Sequence, residues 1–130
     1  MPYLIFKPGD EVITTLQNSG IDSAQIIAIG GFQQATVAYW NRETKQYEDH
    51  DFDEQLEVVS LIGSVSRTKD GHKVHAHVTL GRHDLTTIGG HLKRGIVYPT
   101  LEMMIIPVDP PLVRERDEDT GLDLLVRPSH

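Results

Sequence analysis

Gly71-His72-Lys73-Val74-His75-Ala76-His77-Val78-Thr79-Leu80-Gly81, continuing through residues 82–88 to Gly89-Gly90-His91-Leu92, carries five of the seven histidines of this 130-residue chain. Val74, Ala76, Val78 and Leu80 alternate with His75, His77 and Thr79, and a period of two predicts a strand with one apolar and one polar face. His75 and His77 then project to the same side, with backbones about 6.5 to 7 Å apart. Two imidazoles so spaced can converge on one ion at about 2.0 to 2.1 Å from each nitrogen. His91 is the candidate third ligand, because Gly89-Gly90 before it permits a sharp turn or a close approach to another segment. Three protein nitrogens with an open fourth position describe a catalytic or exchangeable zinc site better than a closed structural one. The competing reading is a set of hydrogen-bonding histidines on a sheet face, and spacing alone does not choose between the two. His72 and His83 fall in expected turns and read as solvated.

Upstream of the histidines, Lys69-Asp70-Gly71 is a hairpin signal, since Asp-Gly tolerates the positive φ that tight turns require. Leu56 to Ile62 reads as the preceding strand, with a bend at Gly63. Gln25 to Ile29 and Ala35 to Trp40 read as two further strands separated by a bulge or tight turn at Gly30-Gly31. Tyr47 to Phe52 reads as a short exposed strand whose acidic edge discourages pairing with other molecules. Near the start, Tyr3 to Phe6 is a strand closed by Pro8-Gly9. Asp10 is the expected N-cap of a helix presenting Val12, Ile13 and Leu16 on one face, with Glu11 complementing the helix dipole and Gly20 ending it.

Downstream, Gly81 to Gly90 reads as a loop over one end of the sheet. Ile96 to Val108 reads as a strand apolar on both faces, the kind found in a sandwich or at a subunit interface. Glu102 is its one carboxylate. Such a group is expected to be paired, either with Arg82 or Arg94, or as an acceptor or general base beside a metal centre. The segment from Pro110 to Asp119 is charged and loop-like, and Asp123 to Val126 is a candidate edge strand.

One hydrophobic core suits this length, with 38% hydrophobic and 24% charged residues. There is no cysteine, so any metal is held by nitrogen and oxygen. No run approaches the roughly 18 apolar residues of a membrane span, and a cytoplasmic setting away from membranes is the expectation. Neither a phosphate loop nor a dinucleotide fingerprint surrounds Gly30-Gly31. No nucleophile elbow competes with the histidines.

The ordered set Asp70-Gly71, His75-Ala76-His77-Val78-Thr79-Leu80-Gly81, Gly89-Gly90-His91-Leu92, Gly95 and Thr100-Leu101-Glu102 resembles the signature of the PPC ("plant and prokaryote conserved") domain. The earlier run from Leu56 to Ser64 resembles that family's strand leading into a glycine-containing turn, so the likeness covers most of the chain. It implies a single PPC domain over residues 1–130 in a stand-alone prokaryotic protein. The implied fold is α+β, an antiparallel sandwich or barrel-like core with one or two helices, assembled as a homotrimer. It also implies a relation to a fold group in which His-x-His and a later His bind zinc, acetolactate decarboxylase being the enzyme member. By motif this carries to His75, His77 and His91 as ligands of zinc or another divalent transition metal.

Three classes of function follow from these readings. One is a metal-dependent enzyme or small-molecule binder, with Glu102 handling protons and a small oxo or hydroxy acid as substrate by analogy of fold. The second is a DNA-associated protein, the family label's own implication, since plant members carry an AT-hook before the domain. Here Arg127-Pro128-Ser129 lacks the Arg-Gly of such an element. The formal net charge of −7 opposes duplex binding as well, leaving Arg82, Lys93 and Arg94 as the one candidate basic patch. The third is an oligomerisation module without catalysis.

Overall fold

The computed structural model describes residues 2–126. Their elements are β1 (Tyr3–Phe6), α1 (Val12–Gln17), β2 (Ala24–Asn41), β3 (Gln46–Phe52), β4 (Leu56–Thr68), β5 (Gly71–Gly81), β6 (Thr87–Pro107), β7 (Arg114–Arg116) and β8 (Asp123–Leu125). The main sheet has the order β1-β6-β5-β4-β2-β3, and β6 pairs with β2 as well. That extra pairing closes β6, β5, β4 and β2 into an antiparallel ring. A separate hairpin of β7 and β8 follows.

Alternation decides what fills the ring. Val74, Ala76, Val78 and Leu80 of β5 are buried, together with Leu56, Val58, Leu61 and Val65 of β4 and Leu101 and Met103 of β6. The opposite positions face outward. Val12 and Leu16 of α1 pack into the same core beside Phe6. The helix cap is Glu11 rather than Asp10. Its carboxylate accepts from the backbone N–H of Thr14 at 2.8 Å and of Ile13 at 3.2 Å, and a third bond from Gly95 N–H at 2.9 Å ties the helix start to β6. Asp10 instead accepts from the Lys7 N–H, closing the turn before the helix. At six residues α1 is the only α-helix among the described residues, so the α part of the expected α+β fold is slight.

Three sequence expectations change. First, Gly30-Gly31 is not a turn between two strands, because β2 runs unbroken from Ala24 to Asn41 with bulges. The glycines are there because β6 passes too close for a side chain: a Cβ at Gly30 would lie 2.2 Å from Thr100 O, and one at Gly31 2.4 Å from Tyr98 O. Second, what requires a glycine at position 63 is the close approach of the next strand. Gly63 presses against β5, where a Cβ would meet His75 O at 2.0 Å. Third, the loop expected over residues 81–90 is shorter, since β6 begins at Thr87 and takes in Gly89-Gly90. In the single chain, the later half of β6 turns Met104 and Ile106 outward. Arg127-Pro128-Ser129 lies outside the described residues.

Candidate metal centre

The histidines come together because of register. β5 turns Val74, Ala76 and Val78 into the core, which sends His75 and His77 to the outer wall of the ring. β6 pairs antiparallel with β5 so that His91 stands directly opposite His77, and such cross-strand partners have Cβ atoms about 4.5 to 5.5 Å apart. One side chain of each residue therefore reaches a common point. The ligand-type nitrogens of His75, His77 and His91 all lie within 4.8 Å of one another. A tetrahedral ion of ordinary bond length holds its nitrogens about 3.3 Å apart, a difference that rotation of the rings covers. No carboxylate joins the group among the described residues.

The site fits a metal on two further counts. His91 Nδ1 is buried with no hydrogen-bond partner, the sole such side-chain atom among the described residues, and an orphaned buried nitrogen is what a ligand atom looks like without its ion. His75 and His91 each have a pKa lowered to about 4. Burial is the chief cause, and it is reinforced for His75 by Arg114 and for His91 by the neighbouring His77. Both are neutral at pH 7 and present the lone pair that coordination needs.

Residues outside the motif complete the surroundings. Tyr47 of β3 stacks on His91 with ring centroids 4.6 Å apart, and Lys93 lies over the same Tyr47 ring while pairing with Asp49 at 3.1 Å. Arg114 of β7 is 6% exposed. Its Nε donates to Ser66 Oγ at 2.7 Å, its NH1 donates to Asp123 O at 3.0 Å, and its NH2 stands 3.4 Å from both Ser64 Oγ and His75 Nδ1. The sequence offers no sign of this. Arg114 opens a charged run, Arg114-Glu115-Arg116-Asp117-Glu118-Asp119, whose composition reads as a solvated loop.

Other expected residues fall elsewhere. Glu102 is exposed, opposite Ile5 of β1 and Ile29 of β2. No hydrogen bond or ion pair links it to the histidines among the described residues. Arg82 is not its partner, because Arg82 forms a two-pronged ion pair with Glu54, with contacts of 2.9 and 2.8 Å. His83 is exposed as expected. His72 is not simply solvated, since its Nε2 lies 2.7 Å from an Asp22 carboxylate that Arg67 also holds. No helix among the described residues is long and apolar enough to cross a membrane.

Comparison with known proteins shows which chains this one is similar to. A 106-residue stretch is 37% identical to part of the bifunctional protein GlmU of Synechococcus sp. (strain JA-2-3B'a(2-13)), covering 78% of this chain. The match spans only 15% of that relative's length. Among solved structures, one from Bacteroides thetaiotaomicron, described as a candidate DNA-binding protein, superposes with a TM-score of 0.89 at 28% identity, covering 95% of this chain and 90% of that one. A metal-containing protein of Archaeoglobus fulgidus superposes at 0.86 with 32% identity, covering 96% and 91%. The model of the Plants and Prokaryotes Conserved (PCC) domain matches residues 3–109. With the His-x-His strand, the paired third histidine and the closed ring all inside that span, the chain belongs to this family, the PPC domain of the sequence signature.

Proposed function

We propose that this PPC-domain chain binds a divalent transition metal, zinc first among them, through His75, His77 and His91 and presents it to a small molecule. The observation that carries the reading is the convergence of three imidazoles, one with an orphaned buried nitrogen, on the outer wall of the ring. A bound ion would act as a Lewis acid on an oxygen of the ligand in its open position. The chain's own part is to hold the three nitrogens at fixed spacing on two paired strands. Elemental analysis of untagged protein tests the reading: about one metal per chain in the native protein and none in His75→Ala/His77→Ala is the expected result. No uptake by the native protein, even after incubation with zinc, sinks it.

The outer face next to the site bears on assembly. Reading across the register, Tyr3, Met104, Ile27 and Ile62 lie in one row that ends at His77, with Ile5 and Ile29 beside it at 55% and 57% exposure. A continuous apolar face of this kind marks a contact surface. A homotrimer that buries it is the proposed assembly. Glu102 sits within this face, so a role for it in proton handling at the histidines would come from a neighbouring copy. Light scattering should give about three times the 14.6 kDa chain mass, falling in Ile29→Glu; a monomer mass at micromolar concentration removes the trimer.

DNA binding is the second reading, supported by the description of the Bacteroides relative. The charge of −7 weighs against it. So does the fate of the basic patch, where Arg82 and Lys93 are ion-paired to Glu54 and Asp49.

A further inference from the structure

The geometry points to Arg114 as an anion-holding residue of the metal centre, one that makes the preferred ligand a small 2-oxo or 2-hydroxy carboxylate. This rests on the metal reading above and adds the class of ligand. Arg114 belongs to β7, beyond the residues 3–109 that the family model covers.

A guanidinium carries five N–H donors and no acceptor. At Arg114, Nε and NH1 have good partners in Ser66 and Asp123 O, at 2.7 and 3.0 Å. NH2 is the loosely held corner, with two contacts at 3.4 Å, one of them His75 Nδ1. No carboxylate forms a direct ion pair with this buried cation among the described residues, and the Asp123 charge acts on it only from a longer distance.

The contact with His75 exists only while Nδ1 keeps a free lone pair, and metal binding removes it by either route. If Nδ1 ligates the ion, its lone pair is taken. If Nε2 ligates, the neutral ring carries its proton on Nδ1, and a donor then faces a donor. Loading the metal therefore strips NH2 of an acceptor at the moment a dication arrives beside it. Lys73 adds positive potential at both His75 and His91, and Lys93 adds it at His91, where Asp49 opposes it.

A buried guanidinium next to a dication held by three neutral ligands calls for an anion. A 2-oxo or 2-hydroxy acid supplies it with matching shape. Its carboxylate accepts from NH2, and its second oxygen, on the adjacent carbon, takes the open metal position. Metal and acid then bind cooperatively, each raising the affinity for the other by the same factor.

The test measures Co²⁺ affinity by calorimetry, with and without saturating glycolate or pyruvate, and with inorganic phosphate as a separate arm. In the native protein either acid should tighten Co²⁺ binding about tenfold, within the usual range of coupling energies. Phosphate should give a smaller effect. In Arg114→Met and Arg114→Lys, both checked for native circular dichroism, the coupling should fall below about threefold. The lysine variant keeps the charge without the fork, which guards against misfolding of the first. Metal uptake without coupling, coupling that survives both substitutions, or phosphate coupling stronger than that of the acids overturns the assignment while leaving the three-histidine site standing. Absence of Co²⁺ binding in the native protein overturns both.

Discussion

Gly63→Ala is expected to cost about 3 kcal/mol of stability or more, at the upper end of what overpacking a fitted interior does. The total for a domain is only about 5 to 15 kcal/mol. A methyl group there would stand 2.0 Å from His75 O, 2.7 Å from Ala76 Cα and 2.9 Å from Ala76 Cβ. Two of these are main-chain atoms and the third is fixed to the main chain, so no side-chain rotation relieves the clash. β4 and β5 must separate, carrying His75 with them. Gly81→Ala is the matched control, because its nearest neighbour is the Val59 Cγ2 methyl at 3.4 Å. Urea unfolding compares the two, and equal midpoints would mean that the strands separate freely at Gly63.

Zinc at a hundred times its dissociation constant should add about 2.7 kcal/mol to the native protein, a rise in Tm on the order of 10 °C for a domain of this size. In His91→Ala that rise should disappear. The metal-free variant should meanwhile fold nearly as well as the native chain. The substitution removes a buried nitrogen that has no partner, and forfeits mainly the stacking on Tyr47, worth about 1 kcal/mol. Loss of the zinc response with little loss of apo stability separates a ligand from a scaffold residue. A full zinc response in His91→Ala would place the ion elsewhere, the chain having other histidines to offer.

The histidine strand was legible in the sequence because its information is local. Alternation from Val74 to Leu80 fixes which way His75 and His77 point, and Asp70-Gly71 fixes the hairpin that precedes them. What could not be read is set by distant partners. Gly30-Gly31 carries the composition of a turn, yet its conformation answers to Thr100 and Tyr98 on β6. Ile96 to Val108 looks buried on both faces because Met104 and Ile106 are apolar, although in a single chain they face outward. Arg114 is hidden from sequence reasoning for the opposite reason: nothing about an arginine in an acidic run says that two serines of β4 and the backbone of β8 will enclose it.

The seam between β2 and β6 has a consequence for synthesis and folding. It joins positions as far apart as Ala24 and Pro107, so the ring cannot close until almost all of the described chain has left the ribosome. Until then β2 and β5 each lack one neighbour and expose unpaired amides beside apolar side chains. Contacts of such sequence separation slow folding into the millisecond-to-second range, and open edges of this kind recruit other chains. The nascent protein thus passes through a sticky stage that ends only when β6 docks, and the same docking event brings His91 to His77.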